Sequence, residues 1–320
     1  MIAVLCGGFG AARFLCGLRG RGDELCCIVN TADDLEYLGL HVSPDLDSVL
    51  YALIGEFDEE RGWGLRGDSF HCNAALARHG ADWFHVGDRD MATHLERTRL
   101  LRAGHTLTEA TAGLTAAWGV AARVLPMSDA PVRTVVSTDA GALTLQEYLV
   151  RHRAGPRVLG VEHAGLAGAT PAPGVLDVLA AADLVVLAPS NPVSSLGPIL
   201  ALPGVRATLA GRAAGTVAVT PVVSGRPPAT PPEQGRARVR AAFMEARGLP
   251  HRAAAVAGLY AGIAGGFVVD ERDAAEEAEV AALGMRVLCA DTLAASTTER
   301  VRLATAVLEF GRRLSGEPRT

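Results

Sequence analysis

The chain has 320 residues, of which 49% are hydrophobic and 20% charged, a composition typical of a globular protein rather than a disordered one. A net charge of −5 provides no positive excess for contact with nucleic-acid phosphates, which argues against a nucleic-acid partner. All 30 basic residues are arginines, so a Walker P-loop lysine and a Schiff-base lysine are excluded. A substrate phosphate must therefore be held by arginine, by backbone N–H groups or by a metal.

The cysteines and the start of the chain indicate where the protein works. The six cysteines form no C-x-x-C pair, which is the usage of a reducing compartment. The first apolar run is too short for a signal sequence, and no run approaches the ~20 apolar residues of a membrane span. We therefore expect a cytoplasmic protein with no membrane partner.

Short apolar runs alternate with helix-like patterns along the whole chain. The helix after Ser43 is expected to end at Gly55, and a capping box from Ser296 to Glu299 opens the last helix. The alternation predicts an α/β fold in one domain, residues 1–320, with a mostly parallel sheet and helices on both faces. Residues 45–120 are predicted to be a helical insertion. Strands are predicted at 2–6, 25–29, 123–125, 134–137, 184–188, 216–220, 266–269 and 287–289, and further helices at 11–18, 44–54, 92–103 and 108–118.

Glycine or polar residues follow several of the predicted strands. A glycine loop after the first strand opens a helix that carries Arg13, an arrangement that suits phosphate, although a tight turn without a ligand is the alternative. The second strand ends in acids that could hold ribose hydroxyls or a metal, or could simply cap a helix. Because carboxyl ends of parallel strands meet at one edge, these loops predict a ligand cleft. Its candidate residues are Gly7, Gly8, Gly10, Arg13, Asn30, Asp33, Asp34, Ser128, Asp129, Ser190 and Asn191.

Two acidic motifs open predicted helices. Asp45 and Asp47 could bind magnesium next to substrate phosphates, or could be favoured there by the helix dipole alone. Asp88, Arg89 and Asp90 could orient a cation toward phosphate while the acids bind metal or accept a proton. Solvated ion pairs are the alternative for that second motif.

The segment Gly225–Gln234 contains four prolines in ten residues and is predicted to be neither helix nor strand. It is either a lid over the cleft or a surface insertion. If it is a lid, Arg226, Arg236 or Arg238 is expected to meet a phosphate or carboxylate of the substrate.

Ten motifs in order over nearly the whole chain resemble the CofD-like family of 2-phospho-L-lactate transferases in F-420 deazaflavin biosynthesis. They are GGFGAARF, VNTADD, GLHVSPDLDSVLY, GWG, GDRDMATH, ERT, LPMSDAPVRT, QEY, PSNPVSSLGPIL and FVVDERD. The resemblance implies a Rossmann-like core, a homodimer and magnesium. It also implies transfer of a phospholactyl or phosphoenolpyruvyl group from a guanosine diphosphate-linked three-carbon acid to a ribityl hydroxyl of the deazaflavin Fo, releasing GMP.

The resemblance also implies roles for the motif residues. The glycine loop with Arg13 would lie near the donor phosphates, and Asp45 and Asp47 would serve metal and acceptor. Asp88 to Asp90 and His85 would line the Fo side within the helical insertion, while Ser190 and Asn191 would meet the guanosine nucleotide. The lysine that the family places after the sixth predicted strand is missing here. A nucleotide-sugar-binding regulator of the same fold is the alternative, whereas an NAD-dependent oxidoreductase is disfavoured because the loop is not G-x-G-x-x-G.

Overall fold

The computed structural model describes residues 1–81, 83–224 and 231–316, without the side chains of residues 231 and 232. Within those ranges the strands are β1 (Ile2–Cys6), β2 (Leu25–Val29), β3 (Leu35–Tyr37), β4 (Leu40–Val42), β5 (Arg123–Pro126), β6 (Arg133–Thr138), β7 (Gly141–Thr144), β8 (Val158–Ala164), β9 (Leu184–Leu187), β10 (Thr216–Val219), β11 (Gly266–Asp270) and β12 (Arg286–Ala290). The α-helices are α1 (Gly8–Leu18), α2 (Pro44–Ile54), α3 (His71–Ala77), α4 (Asp88–Arg102), α5 (Leu107–Ala117), α6 (Val175–Ala181), α7 (Leu196–Ala201), α8 (Val205–Ala210), α9 (Pro231–Glu245), α10 (Ala253–Tyr260), α11 (Glu277–Ala282) and α12 (Thr297–Leu314).

Seven strands form one parallel sheet in the order β12-β11-β10-β9-β1-β2-β5. The chain adds strands outward from β1 in one direction as far as β5 and then returns to place β9 on the other side of β1. This is the doubly wound arrangement, in which the switch between β1 and β9 leaves a crevice at the carboxyl ends of both strands. The predicted Rossmann-like α/β fold is confirmed.

The inner strands of this sheet are buried on both faces, because each face packs against its own layer of helices, whereas the edge strand β12 is only half-buried. Ala3 and Leu5 of β1 belong to one hydrophobic core, which also contains residues of α6, α7, α9 and α10. Ile2 and Val4 point to the opposite core, formed with α1, α2 and α12. Burial on both faces explains why these strands read as unbroken apolar runs in the sequence.

The helix boundaries follow local signals that the sequence contains. Pro44 begins α2, where its missing N–H group leaves no partner unsatisfied, and Gly55 ends that helix with a left-handed φ of 81°. The predicted capping box is present, since the Ser296 hydroxyl accepts from the Glu299 N–H group at 3.2 Å. Ser43 stands at the N-cap of α2 but makes no capping bond, and its hydroxyl instead donates to Asp34 at 2.9 Å.

The predicted strand at 134–137 does exist, but it lies outside the parallel sheet. It is part of β6, which pairs antiparallel with β7 and β8 in a separate three-stranded sheet. Alternate residues of β6 are fully buried and partly exposed, the pattern of a strand with one covered face. The strands β3 and β4 form a further antiparallel pair.

The prediction that Gly225–Gln234 contains no helix was wrong for its last four residues, because α9 begins at Pro231. Proline is tolerated in the first turn of a helix, where the N–H groups have no intrahelical partner. Residues 225–230, including Arg226, lie outside the described residues. Residues 45–120, predicted as an insertion, carry helices α2 to α5 in their described part. No described helix is long and apolar enough to cross a membrane.

Candidate functional site

A cavity of about 630 Å³ opens at the switch between β1 and β9. The cavity is lined by the glycine loop after β1, by the polar loop after β9 and by residues of α9. The predicted cleft residues that line the cavity are Gly7, Gly8, Gly10, Arg13, Asp33, Asp45, Ser190 and Asn191. The structure thus brings eight of the predicted residues together around one space.

The glycine loop lies in close contact with the loop after β9. The N–H group of Gly7 donates to the Ser190 hydroxyl at 3.1 Å. A side chain on Gly10 would overlap the Pro189 carbonyl oxygen, and Gly8 has a left-handed φ of 71°. Glycine is therefore required for the chain to turn here and to leave its backbone open at the start of α1, where N–H groups attract anions.

Two buried carboxylates face the cavity beside the glycine loop. Burial raises the pKa of Asp45 to about 7, even though the Asn30 amide donates to its carboxylate at 2.9 Å. Burial, and then the charge of Asp45, hold the pKa of Asp33 well above its usual range, while Thr134 donates to it at 3.0 Å. No described cation lies within ion-pair distance of either carboxylate, so a ligand that supplies positive charge would stabilise both.

Asn30 and Asp34 lie outside the cavity lining and make hydrogen bonds that fix the start of α2, where Asp45 lies. The Asn30 side chain accepts from the Ala32 N–H group at 3.0 Å while it donates to Asp45, which ties the end of β2 to the start of α2. Asp34 accepts from the Ser43 hydroxyl at 2.9 Å and lies 3.0 Å from the His41 imidazole. Neither Asn30 nor Asp34 lines the cavity, and both position residues that do.

Arginine side chains supply the positive charge on other sides of the cavity. Arg13 donates to the Ala294 carbonyl oxygen at 2.8 Å and lies 5.4 Å from the Phe9 ring centre. The cavity-lining arginines are Arg13, Arg153, Arg236, Arg238, Arg240 and Arg300. Of the three arginines predicted near the proline segment, Arg236 and Arg238 line the cavity, but from helix α9 rather than from a loop. The cavity therefore contains carboxylates, which could bind a metal ion, and arginines, which could bind the phosphates of a substrate.

Asp47, unlike Asp45, does not face the cavity. Its carboxylate forms a buried bidentate ion pair with Arg97 and lies 3.4 Å from the imidazole of His94. Two residues along a helix corresponds to a rotation of about 200°, so Asp45 and Asp47 point to opposite sides. The expectation that both hold one magnesium ion does not agree with this geometry.

The predicted residue Asp90 belongs to the same buried cluster as Asp47. It accepts from the Tyr51 hydroxyl at 2.7 Å, and burial raises its pKa to about 7. Burial lowers the pKa of His94 to about 4, so that imidazole is neutral at neutral pH. Asp47, Asp90 and His94 offer three ligand atoms within 4.8 Å, but the Arg97 guanidinium already compensates Asp47.

Asp88 and Arg89, which were expected to act in catalysis, also lie away from the cavity. The Asp88 carboxylate accepts from the N–H groups of His71 and Cys72, at 3.0 and 2.9 Å, at the start of α3. The pKa of Asp88 is lowered by these bonds, first of all by the bond from Ser69. Arg89 is exposed and lies 3.6 Å from Glu56.

Ser128, Asp129 and His85 are not among the residues that line the cavity either. The Ser128 hydroxyl donates to the Thr170 carbonyl oxygen at 2.7 Å, which fixes the chain after β5. Asp129 accepts from both the N–H group and the hydroxyl of Thr108 in the first turn of α5, at 2.7 and 2.8 Å. His85 is exposed. The described contacts of Ser128 and Asp129 are those of structural residues.

Several cavity residues were not singled out in the sequence. Trp63 and Phe243 add aromatic surface, and Thr292 joins the cavity from the loop after β12. Thr292 is held by Asp270, which accepts from its N–H group and its hydroxyl, both at 2.8 Å. Asp270 belongs to the FVVDERD motif, so that motif was the one feature of the sequence that could have indicated a role for the loop after β12.

Comparison with known proteins is consistent with this geometry. The family model described as 2-phospho-L-lactate transferase CofD matches residues 2–304. The chain is 40% identical to a phosphoenolpyruvate transferase of Streptomyces griseus subsp. griseus over 319 residues, covering 97% of this chain and 98% of the relative. It is 39% identical to a 2-phospho-L-lactate transferase of Methanosarcina acetivorans over 308 residues, covering 95% and 97%.

A solved structure shows the same fold at a lower level of identity. A crystal structure of a protein from Bacillus halodurans superposes with a TM-score of 0.61 and 17% sequence identity, covering 96% of this chain and 98% of the other. At that identity the likeness is one of fold alone.

Proposed function

The chain belongs to the CofD family of transferases, and from this membership we propose that it transfers a phosphoenolpyruvyl or 2-phospholactyl group to the deazaflavin Fo. The donor is a guanosine diphosphate-linked three-carbon acid, and the acceptor is the terminal hydroxyl of the ribityl chain of Fo. The observation that carries the proposal is the cavity at the strand switch, where a glycine loop, two buried carboxylates and several arginines converge.

The negative charges of the donor determine where it binds in the cavity. Its diphosphate lies at the glycine loop, where the N-terminus of α1 and Arg13 attract anions. Ser190 and Asn191 then meet the guanosine part, since they adjoin that loop after β9. Because the chain contains no lysine, arginines must supply the positive side chains that a diphosphate and a carboxylate require.

Magnesium fits the pair Asp45 and Asp33 better than the pair Asp45 and Asp47. Asp45 and Asp33 are both buried, the charge of Asp45 adds to burial in raising the pKa of Asp33, and neither has a described cationic partner, whereas Asp47 is neutralised by Arg97. Hard carboxylate oxygens beside a phosphate site are the ligands that magnesium prefers. When bound there, the ion supplies charge compensation for the phosphoryl oxygens.

The transfer is an in-line displacement. The ribityl oxygen forms a bond to the phosphorus that bears the three-carbon acid, the bond from that phosphorus to the GMP oxygen breaks, and GMP leaves with the electron pair. The acceptor hydroxyl gives up its proton to water, so each transfer yields the phosphodiester, one GMP and one proton. The glycine loop and Arg13 hold the phosphates in line, while Asn30 keeps Asp45 directed at the same position through its 2.9 Å hydrogen bond.

The cytoplasm and a homodimeric state are further parts of this proposal. All six cysteines are free, and three of them are buried in the cores, which suits a reducing compartment. The homodimer rests on the family resemblance, and sedimentation equilibrium of the purified chain would test it.

Fluorescence titration with Fo tests the proposed acceptor. Fo should change its fluorescence on binding to the purified protein, and the binding should persist or strengthen with GDP and magnesium present. A nucleotide-binding regulator without catalysis should bind GDP but leave Fo free. An oxidoreductase should instead bind a nicotinamide nucleotide, so binding of that ligand alone would refute the proposal.

A further inference from the structure

Helix α9 presents two arginines to the cavity on one face. Arg236 and Arg240 are four residues apart, so they lie on the same face of the helix about one turn apart, and both line the cavity. The Arg236 guanidinium lies over the Phe9 ring at 3.7 Å from its centre, next to the glycine loop. The same ring lies 5.4 Å from the guanidinium carbon of Arg13. Three positive side chains thus meet where the glycine loop faces α9.

These arginines have no carboxylate partner in the described part of the chain. No ion pair joins Arg13, Arg236 or Arg240 to a described Asp or Glu within 4.0 Å. Burial and then Arg236 lower the pKa of Arg240 to about 10, and burial and then Arg13 lower the pKa of Arg236. Glu233 at the start of α9 offsets this for Arg13 and Arg236 in part only.

Arg240 is also held in one orientation by a neutral partner. Its Nε–H group donates to Nε2 of His251 at 3.1 Å. The pKa of His251 is lowered to about 4, first by burial and then by Arg240, so the imidazole accepts this bond as a neutral group at neutral pH. An orienting acceptor without negative charge leaves the positive charge of Arg240 uncompensated.

Like charges gathered in a half-buried wall are unfavourable unless an anion joins them. The two buried carboxylates beside the glycine loop cannot fill this role if they bind magnesium. We propose that Arg236 and Arg240 form an anion subsite for the donor, with His251 as the positioning residue of Arg240. The subsite binds the carboxylate of the three-carbon acid or the phosphate that adjoins it. This inference rests on the proposed function.

The test measures binding of two ligands to single variants by isothermal titration calorimetry. The ligands are GDP and the guanosine diphosphate-linked acid, both at one fixed salt concentration. Arg236→Gln and Arg240→Gln should each raise the dissociation constant of the linked acid by about tenfold or more, the loss of one charge-assisted contact. If the carboxylate is the ligand, the affinity for GDP stays unchanged, and if the phosphate is the ligand, GDP weakens in parallel. Wild-type affinity for both ligands in both variants would overturn the subsite.

Control variants separate a lost contact from a lost fold. Arg247→Gln removes an arginine just beyond α9 that donates to the Val161 carbonyl oxygen and lies outside the cavity lining, so it should leave both affinities unchanged. Arg240→Lys keeps the charge and should retain more affinity than Arg240→Gln. If Arg240→Gln unfolds, Arg236→Gln decides the question, because its guanidinium makes no described hydrogen bond.

The role of His251 is tested through Arg240. His251→Ala should raise the KM for the donor with little change in kcat, and His251→Gln should restore KM because its amide oxygen can accept from Arg240. Equal KM values in both variants and the wild type would refute the positioning role. The proposed function fails differently, since the wild-type protein itself would then release no GMP from the linked acid in the presence of Fo. Failure of the subsite alone leaves that wild-type reaction intact and changes neither affinity in the variants.

Discussion

Replacement of Asp45 by Asn should lower the rate of transfer without lowering the stability of the protein. Asp45 faces the cavity, is 6% exposed, and is the carboxylate that we expect to bind magnesium. Loss of that ligand should remove several kcal/mol of transition-state stabilisation, and the rate of transfer should fall by about 10³-fold or more. The fold should survive, because the Asn side chain has the same shape and can still accept from Asn30.

The effect on stability follows from the pKa of Asp45. A rise from 3.8 to about 7 costs the folded apo protein on the order of 4 kcal/mol at neutral pH, at ~1.4 kcal/mol for each unit. Asn at position 45 avoids this cost. It has one acceptor oxygen instead of two, so it keeps the bond from Asn30 but loses the one from the Gly8 N–H group, worth about 1 kcal/mol. Without magnesium the variant should therefore be as stable as the wild type or more stable, by up to about 3 kcal/mol.

Asp47→Asn is the matched comparison and should behave in the opposite way. It leaves the buried guanidinium of Arg97 without its carboxylate, which costs about 3–5 kcal/mol. Urea unfolding in EDTA measures both stabilities, and a coupled assay of GMP release measures both rates. A strongly destabilised Asp45→Asn together with a neutral Asp47→Asn would refute this assignment of the two carboxylates.

Three further predictions concern pH, the glycine loop and a structural aspartate. The stability difference between Asp45→Asn and the wild type in EDTA should be largest above about pH 7 and disappear toward pH 4, because the raised pKa of the folded state costs nothing once both states are protonated. Gly8→Ala should cost about 1–2 kcal/mol in stability, because φ is 71°, and should weaken donor binding more than Fo binding, whereas equal loss of both would contradict a donor-side loop. Asp129→Ala should cost about 0.5–2 kcal/mol in unfolding free energy with unchanged KM and kcat, and a change in KM would return Asp129 to the ligand site.

The parallel sheet could be predicted almost residue by residue because its inner strands are buried on both faces. Such burial produces short apolar runs such as Leu25–Val29. The short helices α3, α7 and α8 span only six or seven residues, too few for a helical period to show. Helix α9 was missed because its prolines occupy the first turn, where they are compatible with a helix.

The site could be predicted only in part, because a single sequence motif can contain both residues that line the cavity and residues that only stabilise the fold around it. Asp45 and Asp47 share one motif, yet helix geometry sends them to opposite sides, and a count of about 100° for each residue would have separated them. Asp88 looked catalytic in the sequence because its bonds to the distant N–H groups of His71 and Cys72 form only in the fold. Arg236 and Arg238 were predicted at the cleft as part of a lid, whereas Arg240 could be placed there only once the segment was known to be a helix.

The most direct test of the central claim is mass spectrometry of a complete reaction. The purified protein is incubated with Fo, magnesium and the guanosine diphosphate-linked forms of lactate or enolpyruvate in parallel. We expect Fo to gain the mass of one phospholactyl or phosphoenolpyruvyl group, with one GMP released for each product formed. Unmodified Fo with both donors, under conditions in which the protein is folded and Fo is bound, would contradict the assignment of this chain as a transferase acting on Fo.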